Sequence, residues 1–67
     1  MVSLKDVEKI AIDFVSRKRN AQDITVSSIE REKGTWVVTG YYIKSEEHKK
    51  FAIWIDDEGN VVSSLPL

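Results

Sequence analysis

The sequence predicts an α+β domain in which one N-terminal helix packs on one face of a four-stranded antiparallel meander sheet. Three observations predict it. Apolar residues near the N-terminus recur at helical spacing, the rest of the chain is rich in β-branched and aromatic residues, and short polar segments divide that part into four strands. We expect a single domain over residues 1–67, close to the lower size limit for a chain that folds alone.

The predicted helix runs from about Leu4 to Lys18. Ser3 is suited to the N-cap, where its hydroxyl accepts a hydrogen bond from the Asp6 amide, and Asp6 suits the positive end of the helix dipole. Val2 and Val7 occupy the positions of a hydrophobic staple. One side of the helix carries the apolar residues Leu4, Val7, Ile10, Ala11, Phe14 and Val15, with Ile12 flanking them.

Arg17, Lys18 and Arg19 form the densest basic cluster of the chain. Cations at this position stabilise the negative end of a helix dipole, and Asn20 can cap the helix. The alternative is a phosphate-binding patch, which we disfavour because three charges neutralise few phosphates.

The first strand is predicted from Ile24 to Glu32, with an irregular pattern. Ile24 and Val26 share one side, whereas Ile29 falls on the other. A bulge near Ser27–Ser28 would bring all three to one side, and so would a strong strand twist.

The second strand, Thr35–Lys44, is the strongest by composition and follows a tight turn over residues 32–35. Gly34 is suited to the positive φ of that turn. Gly40, in mid-strand, indicates a bend or bulge that leaves space beneath the helix. A polar loop, Ser45 to His48, is predicted to connect this strand to the third.

The stretch Phe51–Ser64 reads as a hairpin with clear turn chemistry. Asp56 suits the first position of a type I turn and Gly59 the position with φ > 0, so a three-residue loop with a G1 bulge is expected. Pro66 should end the last strand. With Asp56 opposite Asn60, the predicted pairs are Ile55 with Val61, Ile53 with Ser63, and Phe51 with Leu65.

One helix can cover only one face of this sheet. Pairing Lys44 with Lys49 through the 45–48 loop places Trp36, Val38, Gly40 and Tyr42 beside Phe51, Ile53 and Ile55, on the face that we assign to the helix. The opposite face would carry Val37, Tyr41, Ile43, Ala52, Trp54 and Val62. Exposed apolar patches of this kind typically mark an interface. The candidate interface residues are Tyr41, Ile43, Trp54 and Val62.

No pattern in the sequence indicates an enzyme, a cofactor or a metal site. The chain has no cysteine and one histidine, His48, which falls in a predicted loop. The acidic segment Asp56–Asn60 lacks the ligand spacing of a calcium loop and is explained by the hairpin turn. No serine lies in a nucleophile-elbow pattern.

Charge and hydropathy narrow the classes of partner. A net charge of −1 gives no bulk attraction to nucleic acid or to anionic lipid. No apolar run approaches the ~20 residues of a membrane span, and no signal-peptide pattern is present. We therefore expect no membrane partner and a cytoplasmic location.

The chain resembles the PepSY-like domains. The resemblance lies in a leading helix (VEKIAIDFV), a strand with a charged end (ITVSSIEREKG), a second strand, and the ending FAIWIDDEGNVVS. In that ending, the residues that match are Ile53, Ile55, Asp56, Gly59, Val61 and Val62. The resemblance implies a cystatin-like shape and a role in binding or inhibiting peptidases, or in binding ligands outside the cytoplasm. We expect neither a signal peptide nor a partner domain, which departs from that setting.

Three functional hypotheses follow. The first is a non-catalytic module that uses the open sheet face to bind a protein or peptide, or a second copy of itself as a homodimer. The second is single-stranded nucleic-acid binding on the sheet aromatics, with Arg17, Lys18, Arg19, Lys49 and Lys50 as a basic rim, which the acidic pI makes unlikely. The third is addition of a peptide strand to the first or fourth strand as an edge.

Overall fold

A computed structural model describes residues 2–66, with side chains described for residues 2–65. One helix precedes four strands, α1 (Leu4–Arg19), β1 (Gln22–Glu32), β2 (Thr35–Lys44), β3 (Glu47–Asp56) and β4 (Val61–Pro66). The sheet has the order β1-β2-β3-β4, and every neighbouring pair is antiparallel. The predicted fold class, one helix on a four-stranded antiparallel meander, is confirmed.

Helix α1 begins and ends where its capping residues predict. Ser3 Oγ accepts a hydrogen bond from the Asp6 amide (3.2 Å), and the Asp6 carboxylate accepts one from the Ser3 amide (3.3 Å), which completes a capping box. Asn20 closes the helix in the left-handed conformation, with φ of 51°. The buried stripe begins at Val7, because Leu4 in the first turn is 56% exposed.

Strand β1 contains the predicted bulge and a second irregularity. The register with β2 shifts between Val26 and Ser28, so that Ser27 is the extra residue. Because of this bulge, Val26 and Ile29 both reach the side of the helix, where they pack against the core. The second shift lies around Asp23, whose φ is 50°. The strand therefore begins at Gln22, two residues before the predicted start.

The β2–β3 connection is shorter than predicted. Ser45 and Glu46 form a two-residue turn with φ of 51° and 65°, and Lys44 pairs with Glu47. The predicted four-residue loop and the pairing of Lys44 with Lys49 are wrong, because two non-glycine residues take the left-handed conformation that such a turn needs. The register error is two residues, an even number, so the predicted faces of β2 and β3 are unchanged.

The β3–β4 hairpin has the predicted turn. The Gly59 amide donates to the Asp56 carbonyl (3.1 Å), and the Asp56 amide donates to the Asn60 carbonyl (2.9 Å). Gly59 has φ of 88°, and a Cβ there would lie 3.1 Å from Val2 Cγ1. The turn thus packs against the start of the chain, and the Val2 amide also donates to the Asp57 carbonyl (3.2 Å).

The register beyond that turn differs from the prediction. Ile55 pairs with Val61 as expected, but a bulge follows, with Val62 as the extra residue. The predicted partners of Ile53 and Phe51 are therefore wrong by one position: the observed pairs are Trp54 with Ser63, Ile53 with Ser64, Ala52 with Leu65, and Phe51 with Pro66. A shift by one residue exchanges the two faces of a strand, so Leu65 moves to the face away from the helix.

The core lies between α1 and one face of the sheet. Its buried members are Val7, Ala11 and Val15 from the helix and Val38, Tyr42, Phe51, Ile53 and Ile55 from the sheet. Gly40 makes room for the ring of Phe51 and for the backbone of β1, because a Cβ at position 40 would lie 2.9 Å from Phe51 Cζ and 2.1 Å from the Thr25 carbonyl oxygen. The nearest atoms belong to the sheet itself rather than to the helix.

Candidate functional site: the open face of the sheet

The open face is the side of the sheet that points away from α1. The pairing of β2 with β3 places residues 35, 37, 39, 41 and 43 beside residues 56, 54, 52, 50 and 48 on this face. Its apolar members are Val37, Tyr41, Ile43, Ala52, Trp54 and Leu65. The prediction that apolar and aromatic side chains occupy the face opposite the helix agrees with this placement.

The exposure of these side chains differs along the face. Leu65 is 46% exposed and Tyr41 is 40% exposed, whereas Val37 and Ala52 are buried. Trp54, which the sequence indicated as exposed, is half-buried, and it stands directly across from Val37. The short side chains thus fill the gaps between the large ones, and the large ones form the outer surface.

One predicted interface residue, Val62, needs a correction, and one residue that was not predicted, Leu65, has to be added. Val62 is 57% exposed, but it occupies the bulge of β4 and has no cross-strand partner on the open face. Leu65 takes the expected place of an aliphatic residue on β4, and the sequence prediction missed it. The signal was the doublet of Val61 and Val62, which interrupts the apolar–polar alternation of a regular strand.

Charges lie at the two ends of the open face. At one end, Glu32 pairs with Thr35 and Glu30 pairs with Val37. All the cations and the imidazole of this face lie at the other end. Those are Lys50, which pairs with Tyr41, and His48, which is part of β3 rather than of a loop as predicted. Glu30, Glu32, His48 and Lys50 are exposed, whereas Asp56, which pairs with Thr35 at the acidic end, is half-buried.

A hydroxyl pair lies near the middle of the open face. Ser28 and Thr39 are cross-strand partners, and their side-chain hydroxyls form a partly buried hydrogen bond. This hydrogen bond links β1 to β2. Because both side chains are uncharged, the middle of the open face carries no charge between its acidic and basic ends.

The predicted basic rim does not border the aromatic face. Arg17, Lys18 and Arg19 lie on α1, which covers the opposite side of the sheet, and Arg17 forms an ion pair with Asp13 (3.0 Å). Lys49 also points to the helix side. Only Lys50 of the predicted rim shares a face with Trp54.

Both edges of the sheet are poor templates for strand addition. Edge strand β1 has two irregularities and carries charged residues at its end, Glu30, Arg31 and Glu32. Edge strand β4 is six residues long, contains a bulge and includes Pro66. Bulges, charges and proline at an edge disfavour pairing with another chain.

The acidic turn is a structural feature with a perturbed carboxyl group. The Asn60 backbone amide donates to the Asp56 carboxylate (2.8 Å), and this bond chiefly holds the pKa of Asp56 below its usual range. Desolvation opposes this lowering of the pKa and is the second-largest effect, while the Glu58 amide (2.9 Å) and the Asn60 side chain (3.4 Å) lower the pKa by smaller amounts.

This pKa predicts a dependence of stability on pH. A carboxyl whose pKa is lower in the folded state stabilises the fold above its ordinary pKa of about 3.9, and that contribution is lost as the pH falls through the lowered value. The variant Asp56→Asn can accept the same amide hydrogens but has no charge. We expect the stability difference between wild type and variant to shrink from pH 7 to about pH 3, measured by urea unfolding. A difference that is constant across this range would contradict the assignment.

Potential metal sites, surface depressions and membrane-spanning helices can be assessed for the described residues. Among residues 2–66 there is no group of three histidine, aspartate or glutamate side chains placed to hold a metal ion. An open depression of about 400 Å³ lies at the end of the sheet, between Asn20 and the Ser45–Glu46 turn. No helix within residues 2–66 is long and apolar enough to cross a membrane.

Comparison with known proteins finds no match to a family model, to a curated protein or to a solved structure. The resemblance to PepSY-like domains therefore stays a prediction from the sequence. What the chain does has to be inferred from its own surfaces.

Proposed function

We propose that the chain is a non-catalytic interaction module that binds a protein through its open face. The observation that carries the proposal is the exposure of Tyr41 and Leu65 on a face that α1 does not cover. Together with Trp54 they form one apolar and aromatic surface across β2, β3 and β4. Aromatic side chains of this kind are enriched at protein interfaces.

The packing beneath this surface supports binding. Val37 and Ala52 are buried and Trp54 is half-buried, so part of this surface is already packed in the free chain. Side chains that are already ordered lose less conformational entropy when a partner binds. A protein partner, a peptidase, is one of the two roles that the resemblance to PepSY-like domains implies, the other being the binding of ligands outside the cytoplasm. A cytoplasmic location remains our prediction from the sequence.

The other two functional hypotheses receive less support. Nucleic-acid binding by stacking requires several cations beside the aromatic rings, but Lys50 alone of the predicted rim lies on the open face, and two glutamates share that face with it. Addition of a peptide strand requires a regular edge, and β1 and β4 are both interrupted by bulges.

Two exposed leucines allow a matched test. Leu65 is 46% exposed on the open face and Leu4 is 56% exposed on the helix, so aspartate should cost little stability at either position. Tagged wild type, Leu65→Asp and Leu4→Asp would be incubated with a lysate of the source cells that also contains the untagged chain. Bound proteins, the untagged chain included, would be quantified by mass spectrometry.

We expect at least one bound protein to fall about tenfold or more with Leu65→Asp and to stay unchanged with Leu4→Asp, because an unpaired carboxylate in an apolar interface is costly. Urea unfolding of the three proteins verifies that both variants are folded. If no protein distinguishes the two variants, the open face is not a protein-binding surface.

A further inference from the structure

The open face carries acidic residues at one end and basic residues at the other, with apolar residues between them. Glu30 lies beside Val37, and Lys50 lies beside Tyr41, four residues further along β2. At about 3.4 Å per residue, the acidic and basic ends are roughly 14 Å apart along the strand direction. Glu32 extends the acidic end and His48 extends the basic end.

We propose that the partner of this face is a second copy of the chain, docked sheet to sheet about a two-fold axis that crosses the strands. The inference rests on the proposed function, that the open face binds protein. In a two-fold dimer the same patch meets itself. The glutamates lie on β1, whereas Lys50 and His48 lie on β3, two strands away. An axis that crosses the strands obliquely therefore brings the acidic end of each copy over the basic end of the other, whereas an axis parallel to the strands would leave the acidic ends of both copies at the same end of the dimer.

Charge complementarity favours the second copy over a different protein. The open face carries both an acidic end and a basic end, so its charges are complementary to those of a second copy of the same face. The net charge of −1 per chain adds little long-range repulsion between copies. The hydroxyl pair of Ser28 and Thr39 is neutral and shares one hydrogen bond, so covering it buries no charge and leaves one O–H donor to be satisfied by the second copy or by water.

The size of the face also fits a dimer. The chain measures 36 Å by 17 Å in its two longest dimensions. These dimensions give the sheet a projected area of roughly 600 Å². Because side chains project from the sheet, its accessible area is larger than this and approaches the roughly 800 Å² that each partner buries in a standard interface. That is about a sixth of the 4592 Å² of accessible surface of the chain. A small domain gains stability from such additional burial.

Exchanging the charges at each end provides the test. The acidic-end variant carries Glu30→Lys and Glu32→Lys, and the basic-end variant carries His48→Glu and Lys50→Glu. In a dimer of either variant alone, the two ends that face each other would carry like charges. In a dimer of one variant with the other, they would again carry opposite charges. A control with Glu8→Lys and Glu47→Lys makes the same change in charge as the acidic-end variant, but at exposed positions on the helix side.

Sedimentation velocity over a concentration series would measure association. We expect the wild type and the control to form dimers, each end variant alone to dissociate at least about tenfold more readily, and the equimolar mixture to recover most of the wild-type affinity. Circular dichroism of each variant verifies that it is folded.

Two results would overturn the inference. One is a wild type that stays monomeric up to about 1 mM, a concentration at which even weak specific association is detectable. The other is a mixture of end variants that associates no better than either alone. If the chain is monomeric but Leu65→Asp still reduces the amount of another protein captured from the lysate, the proposed function holds and only the identity of the partner is wrong. If Leu65→Asp reduces the capture of no protein, the proposed function and the dimer are both wrong.

Discussion

Gly40→Ala is expected to abolish cooperative folding. A Cβ at this position would lie 2.1 Å from the Thr25 carbonyl oxygen and within 3.0 Å of two atoms of the Phe51 ring. The carbonyl belongs to the backbone of β1, so the clash can be relieved only by separating β1 from β2. We expect a loss of more than about 4 kcal/mol, which is comparable to the whole stability of a domain of this size.

A second glycine serves as the control for Gly40→Ala. Gly34 has φ of 79°, but the nearest atom to a Cβ there, Asp57 Oδ2, is 3.8 Å away. Gly34→Ala should therefore cost only the backbone strain of about 1–2 kcal/mol. Circular dichroism and urea unfolding would be recorded for both variants at one protein concentration. A Gly40→Ala variant as stable as Gly34→Ala would show that β1 does not pack closely against residue 40.

Phe51→Ala is expected to have the next largest effect on stability. The Phe51 side chain is 1% exposed, lies over Gly40 and packs against the ring of Tyr42, with centroids 6.2 Å apart. Removing the ring leaves a cavity between the helix and the sheet, for which we expect a loss of about 3–5 kcal/mol. Most of the protein should then be unfolded at room temperature.

Two milder variants make the Phe51 prediction quantitative. Phe51→Leu retains most of the buried volume and should cost less than about 1.5 kcal/mol. Leu65→Ala, on the exposed face of the neighbouring strand, should cost less than Phe51→Ala by about 2 kcal/mol or more. Urea unfolding at pH 7 gives the values for Phe51→Leu and Leu65→Ala, and the fraction of Phe51→Ala that is folded without urea gives the third. Equal costs at positions 51 and 65 would contradict the assignment of the core to the helix side of the sheet.

The features that the sequence predicted well depend on residues within a few positions of one another. The Ser3 cap, the Asn20 cap, and the turns at Gly34 and Gly59 all follow from local backbone preferences. The alternation in β2 and β3 identified which face meets the helix, because a register error of two residues leaves the faces unchanged.

The features that the sequence did not predict depend on contacts between distant residues. The left-handed conformations of Ser45 and Glu46 have no glycine or asparagine to signal them, so the turn length was not readable. The bulge at Val62 arises where β4 adapts to β3, and it moved Leu65 onto the open face. Placing Lys49 and Lys50 together in a basic rim failed because consecutive strand residues point to opposite faces.

The most direct test of the open face as the docking surface is an isotope-filtered NOE measurement on an equal mixture of labelled and unlabelled chain. At a concentration where dimers are populated, we predict contacts between copies at the methyl groups of Leu65 and the rings of Tyr41 and Trp54, and none at Leu4. Contacts between copies that involve the outer side of α1, or the edges of β1 and β4, and spare the open face would contradict it.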